Sequence, residues 1–398
     1  MTRRNRARAW WVRLHLWLGL SAGAVFALLG VTGSVLVFDH ELDALLHPSL
    51  FASGAESRAI ASSAAITAAE DVLPKGHSVA WLSWPRDARD VFRAYGGPPD
   101  DRFGRLLTVD PASGEVLGTR AGDGGVLRFI YDLHFQLQLG AGGQTVVGLV
   151  GVLMLISLGS GLYLWWPRKR HWRTGLTVRR GARPQRRDFD LHRVTGIYGA
   201  ALLLVISGTG IFMALPDYTE PVVELFSPIT PRVGTIASNG ARDAADIHVD
   251  TAVEIARNHL PGARVTGVGI PHRGSGTYRV ALSEPTHPRA SAGRSYVRVD
   301  RHTGEVRAAR TWAGMTAADR FLDWQLPLHN GEVFGVIGRL VVFVTGLLPS
   351  GLLITGFLIW RHKRRAAHRQ RGKRAARPAD AVPMRARIRL WRRRAYDE

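Results

Sequence analysis

His15-Leu16-Trp17-Leu18-Gly19, with Thr32-Gly33 further on, returns as His192-Arg193-Val194-Thr195-Gly196, with Thr209-Gly210 further on. The steps from the histidine to the first glycine, the threonine and the second glycine are identical in both copies. A second pair behaves alike: Trp165 follows His134 at the same distance as Trp360 follows His329. Self-similarity on this scale outranks local propensity in deciding a fold. The repeated stretches are also apolar. A bilayer crossing takes about 20 apolar residues, and four segments qualify: Leu16 to Phe38, Thr145 to Trp166, Leu191 to Leu215 and Val336 to Trp360. The first follows a basic start and lacks a small-residue cleavage site, so it reads as a retained anchor.

The net charge of +21 belongs to few places. Segments 1–13, 167–190 and 361–398 hold 29 of the 53 Lys and Arg residues and only five of the acidic ones. Basic residues flanking apolar spans are the mark of the cytoplasmic side. Both termini and the 167–190 loop are therefore expected in the cytoplasm, with the two long intervening regions outside. Anionic lipid is the expected contact of the basic tail, and no nucleic acid is expected. The chain has no cysteine. That excludes disulfides, thiolate catalysis, iron–sulfur clusters and thioether-linked haem. Any metal must be held by His, Met or oxygen.

The outward regions repeat as well. Each starts with a helical pattern (Ile66, Ala69, Val72, Leu73; then Ala252, Ile255, Ala256, Leu260). Each ends in a matching turn, Val109-Asp110-Pro111-Ala112-Ser113-Gly114-Glu115-Val116 and Val299-Asp300-Arg301-His302-Thr303-Gly304-Glu305-Val306. Asp opens such a turn and Gly takes the positive φ. Alternation in Thr277-Tyr278-Arg279-Val280-Ala281-Leu282 fits a strand with one solvated face. The expected order is a basic N-terminus (1–15), span (16–38), outward α+β unit (39–128), pre-helix and span (129–166) and basic loop (167–190). A further span (191–215), outward unit (216–318), pre-helix and span (319–360) and basic tail (361–398) follow.

With Arg13-Leu14-His15, Asp132-Leu133-His134, Asp190-Leu191-His192-Arg193 and Pro327-Leu328-His329-Asn330-Gly331-Glu332 on the page, the chain resembles the PepSY-associated transmembrane family. The outward units resemble PepSY domains, and Pro327 to Gly335 is the most specific stretch. The resemblance implies a bacterial cytoplasmic (inner) membrane protein, multi-pass. Its fold would be a membrane α-helical bundle of four transmembrane helices from an internal duplication, with two extracytoplasmic α+β PepSY-like domains. Some relatives are iron-regulated ferric-siderophore reductases that hold two haems.

Symmetry leads to the same cofactor. Two halves in one orientation are related by an axis along the membrane normal, which sets equivalent residues at equal depth. His15 and His192 are then expected near the cytoplasmic face, and His134 and His329 near the outer face. Facing imidazoles suit six-coordinate haem iron, so two haems b are expected with these four histidines as axial ligands. As a helix, His15 to Phe38 runs about 35 Å, so the couples cannot share one site. Gly19, Gly23, Gly30 and Gly33, with Gly196, Gly199, Gly208 and Gly210, are expected to admit helices or porphyrin at close range. Arg13 and Arg193 are candidate propionate partners. Arg339, costly within a span, is expected to meet a propionate, Asp132 or Glu332. His40, His47 and His171 lack repeat partners, and His248, His259, His272, His287 and His302 are expected to be solvated.

The function that follows is a transmembrane haem-dependent reductase passing electrons outward; the family resemblance makes the acceptor a ferric siderophore. Quinol and a cytoplasmic flavoprotein both stand as donors. The rivals are a non-enzymatic anchor whose outward domains bind peptide, a peptidase or cell-wall material, and a metal permease. The apolar span interiors count against the permease.

Overall fold

Ser21 breaks the first span. Its hydroxyl donates to the Trp17 carbonyl at 2.7 Å, and such back-bonding within a helix bends it. The result is α1 (Arg3–Leu20) and α2 (Ala22–Leu36), bent 45° against each other. The computed structural model describes residues 3–51, 60–122, 124–166, 172–231, 233–234, 236–241, 244–272, 276–288 and 295–375. The basic residues 168–170, His171 and the tail beyond 375 lie outside the described residues.

After α2 come α3 (Asp39–Leu46), α4 (Ser62–Val72) and four strands, β1 (Ser78–Ser83), β2 (Phe92–Gly97), β3 (Arg105–Val109) and β4 (Val116–Ala121). Then α5 (Val126–Gln136), α6 (Gly140–Trp165) and the short α7 (Trp172–Leu176) lead to α8 (Pro184–Ala214). The plan continues with α9 (Pro216–Glu224), α10 (Val249–His259), β5 (Arg264–Gly269), β6 (Thr277–Ser283), β7 (Ser295–Asp300) and β8 (Val306–Arg310). It closes with α11 (Ala317–Asn330) and α12 (Gly335–Ala375). Among the described residues, three helices are long and apolar enough to cross a membrane, four when α1 and α2 count as one span. Helix α12 runs well past Trp360 into the basic segment, because nothing in that sequence stops a helix.

The bundle pairs α2 with α12 and α6 with α8, with α8 also against α12 and α1 against α6. Gly30 of α2 and Gly346 of α12 set the first approach: a Cβ on Gly30 would stand 2.2 Å from the Gly346 carbonyl oxygen. Gly30 is thus a close-contact point, as its place among the span glycines implies. Gly19 and Gly208 instead face open space. The chain reverses between α11 and α12 over Gly331 and Gly335, both at positive φ. A side chain at Gly331 would also run into the Gly338 carbonyl.

All eight strands form one antiparallel sheet in the order β4-β3-β2-β1-β5-β6-β7-β8. The two segments between the spans therefore share a sheet, joined where β1 pairs with β5 (Leu82 opposite Val268). Trp81 explains why glycines sit on β5: its indole lies 2.5 Å from where a Gly267 Cβ would be. Ala65 and Ala69 of α4, and Ala252 and Ala256 of α10, are fully buried on the sheet in one continuous core. Small residues let both helices lie close to the strands. The two Asp-x-x-(Ser/Thr)-Gly turns form as their sequence dictates. Gly114 and Gly304 take φ of 77° and 72°. Asp110 accepts from Ser113 and Asp300 from Thr303.

Candidate functional site

Four histidines meet in two couples. His15 of α1 faces His192 of α8 with ring centroids 6.1 Å apart and planes at 81°. His134 of α5 faces His329 of α11 at 6.1 Å and 59°. The couples lie at different depths. Helix α8 carries His192 near its start and, several turns on, Ile206 and Thr209, which hold His329. The two levels are about 21–26 Å apart along that one helix.

Each ring is gripped in the same way. His15 Nδ1 lies 3.1 Å from the Ser157 carbonyl and 2.9 Å from the Ser160 hydroxyl. His192 Nδ1 lies 3.1 Å from the Leu352 carbonyl and 3.0 Å from Thr355 Oγ1. His134 Nδ1 meets the Leu29 carbonyl at 2.9 Å and Thr32 Oγ1 at 3.1 Å. His329 Nδ1 meets the Ile206 carbonyl at 3.1 Å and Thr209 Oγ1 at 3.0 Å. A carbonyl only accepts, and each hydroxyl spends its own proton on a helix carbonyl. Nδ1 must therefore carry the hydrogen in all four rings, which leaves Nε2 with the lone pair. Among the described residues Nε2 has no hydrogen-bond partner in any of them.

A glycine follows each gripping hydroxyl and lies against the same ring. A Cβ would stand 3.1 Å from His15 Cε1 at Gly161, 2.7 Å from His134 Cε1 at Gly33, 3.3 Å from His329 Cε1 at Gly210 and 3.4 Å from His192 Cε1 at Gly356. Thr32-Gly33 and Thr209-Gly210 are legible as repeat positions. Ser160-Gly161 and Thr355-Gly356 escape the sequence reading, although Ser160 follows His134 at the same step as Thr355 follows His329. The spacing holds the signal; the apolar run around it hides their role.

The separation within a couple bounds what could lie between the rings. A metal bond of about 2.0–2.1 Å to each nitrogen, plus about 1.2 Å from nitrogen to ring centre, gives centroids about 6.4–6.6 Å apart around a shared ion. Direct hydrogen bonding between two such nitrogens at about 2.9 Å would bring the centres to about 5.3 Å. The observed 6.1 Å lies nearer the shared-ion separation than the direct bond, and it also falls within ordinary contact between two rings. Among the described residues no group of three or more His, Cys, Asp or Glu forms a metal cluster.

The arginines are placed differently from the imidazoles. Arg13 is exposed, with no side-chain partner among the described residues. Arg193 pairs with Asp190 at 2.9 Å and donates to the Thr177 carbonyl at 3.1 Å, so it ties down the 174–177 segment. Arg339 pairs with Glu41 at 2.6 Å and donates to the Val37 carbonyl at 2.7 Å, stacked on Phe38. Its ion pair is with Glu41 of α3, which has no repeat signal to suggest it, while Glu332 acts on it through its charge and Asp132 takes Arg128. His287 is buried, against the expectation of solvation: its ring packs on Trp312, and Nε2 lies 3.4 Å from Asp323. His302 also turns inward, toward Asp246 at 3.3 Å.

The spans, the shared sheet and the paired imidazoles define a multi-pass membrane protein with an antiparallel-sheet domain. The chain belongs to the PepSY-associated transmembrane family: the family described as "PepSY-associated TM region" matches residues 12–363. That range takes in all four histidines and every strand, and leaves out the basic tail. No curated protein matches the chain.

Proposed function

We propose that the protein is a di-haem b membrane reductase that moves electrons outward across the cytoplasmic membrane, to a ferric siderophore or similar iron complex. The observation that carries this reading is the fourfold grip: four rings, each with Nδ1–H tied to a carbonyl and a hydroxyl, set in couples 6.1 Å apart. Ligating histidines are characteristically oriented through the other ring nitrogen in this way. A bis-imidazole haem supplies reversible one-electron exchange at iron, with no open coordination position. The ferric complex would gain that electron outside, and Fe(II) is held less firmly by hard oxygen donors.

The chain's own residues bind, orient and keep water out. His15 and His192 would hold the inner group, His134 and His329 the outer one. Phe26, Leu29, Val150, Met154 and Leu203 pack between the depths as a buried apolar cluster, which excludes water from the bundle centre. Two halves related by a duplication would each contribute one ligand to each site. Pairing of α2 with α12 and α6 with α8 supports such a two-fold arrangement. The basic segments flank the end that carries His15 and His192, which supports cytoplasmic termini with the two PepSY-like units outside. A quinol or a cytoplasmic flavoprotein would supply the electrons.

The test is a reduced-minus-oxidised spectrum of the purified protein, with haem counted per chain. The expected result is a low-spin b-type signal at two per chain. H134A and H329A should each lose the outer haem, and H15A and H192A the inner one. A protein without Soret absorbance would refute the reading and leave a non-enzymatic anchor for the outward domains.

A further inference from the structure

A cavity of about 260 Å³ lies between the end of α2, helix α3, strands β2 to β4 and the start of α5. Two of its lining residues stand near the His134 grip along their helices. Leu36 lines it three residues beyond Gly33, and Tyr131 lines it three residues before His134. Three helical residues span about 4.5 Å, so whatever fills the cavity sits about one turn from the His134 grip.

The lining is rich in arginine. Arg86, Arg93, Arg120 and Arg128 contribute guanidiniums, joined by His40 and His47 and opposed by Asp39 and Asp43 in the lining and by Asp90 and Asp132 behind it. Three of the guanidiniums are held in fixed orientation, Arg128 by Asp132 at 2.8 Å. Arg120 grips Asp43 in bidentate fashion at 2.7 and 2.6 Å. Arg93 is anchored by the buried Asp90 at 3.0 Å. A guanidinium has five N–H donors and a carboxylate engages two at most, so donors remain for a ligand. Arg86 has no side-chain hydrogen bond or ion pair among the described residues. His40 stands between these charges: burial first, then the fields of Arg93 and Arg86, push its pKa below the ordinary histidine value. An arriving anion relieves that crowding of positive charge.

We propose that this chamber binds an anionic, oxygen-rich metal chelate, with Arg86 and Arg120 as the principal contacts to its carboxylate or phenolate oxygens. The inference rests on the reductase reading for its purpose and names the charge class of the acceptor. Small-molecule sites commonly run from about 300 to 1,000 Å³. At 260 Å³ the chamber suits a compact chelate or one arm of a larger one, and is too small for a folded peptide.

The experiment uses Ga(III)–citrate, a redox-inert stand-in for a ferric chelate, titrated calorimetrically into the purified full chain. Binding is then read without any electron transfer, and haem is counted separately by absorbance. Saturable binding is expected, weakened about tenfold by R86Q or by R120Q, the usual worth of one charge-assisted hydrogen bond. A cationic Ga(III) trihydroxamate chelate should bind at least tenfold more weakly than the citrate complex. Arg86 is exposed and supports no other residue, so R86Q tests the site even if R120Q disturbs α3. No binding by the wild type, equal binding by R86Q, or indifference to chelate charge would each overturn the assignment. Loss of haem with chelate binding intact would overturn the reductase reading alone.

Discussion

Gly33→Ala is the sharpest perturbation of the outer couple. The added methyl would stand 2.7 Å from His134 Cε1 and 3.3 Å from Nδ1, whereas ordinary contact begins at 3.4 Å. The ring must therefore withdraw until the 2.7 Å approach has opened to 3.4 Å. Nδ1 sits 2.9 Å from the Leu29 carbonyl, and a retreat of that size carries it past about 3.5 Å, where a hydrogen bond is lost. Metal sites tolerate about 0.2 Å in ligand position, so the outer haem should be lost. The apo-protein should change less. Overpacking costs about 1–3 kcal/mol, and Ala in place of Gly in a helix returns about 1 kcal/mol. The same substitution at the other three grips gives a graded control. The ring must yield less at Gly161, hardly at all at Gly210 and not at Gly356, where the Cβ distances are 3.1, 3.3 and 3.4 Å. Haem per chain by pyridine haemochrome, with thermal unfolding of the haem-free form, reads both effects. The expected order of haem loss is G33A, G161A, G210A, G356A. Two unaltered low-spin haems in G33A, or greater loss in G356A, would refute the reasoning.

Removing the gripping hydroxyls at the inner couple, with S160A and T355A, leaves each ring its carbonyl and should weaken inner haem affinity by about tenfold. Titration of apo-protein with haemin, followed in the Soret band, checks this; the outer site should be unchanged. Asp300 makes a pH prediction. Its burial would raise the carboxyl pKa, but hydrogen bonds from Ser238, Asn239, His302 and Thr303 outweigh that and hold it below the ordinary range. A depressed folded-state pKa gives stability that is present above about pH 4 and lost as pH falls below it. Thermal midpoints between pH 7 and pH 3 should drop less in D300N than in the wild type, with the variant lower at pH 7. Parallel curves would sink that assignment.

Much of the architecture was readable locally. A run of about 20 apolar residues has one solution in a bilayer, so three of the four spans form as single helices over the expected stretches. Asp300 and Gly304 close their turn through bonds between near neighbours in the chain. The exceptions share a cause. Ser21 bends the first span because its hydroxyl competes for the Trp17 carbonyl, a choice that apolarity does not encode. His287 looks in sequence like one more polar loop residue, and only the arrival of Trp312 and Asp323 buries it.

Spacing alone told which histidines belong together, which segments cross the membrane and which turns punctuate the sheet, because periodicity and turn chemistry act within a few residues. The folded chain added what no local pattern carries: the seam between β1 and β5, the partnership of Arg339 with Glu41, and the identity of each ring's proton-bearing nitrogen. His15 takes its tautomer from the carbonyl of Ser157, on another helix, and His192 from that of Leu352, far along the chain. Such bonds exist only once packing has brought distant helices together, since the geometry of hydrogen bonds and metal ligands is set in space and not along the chain.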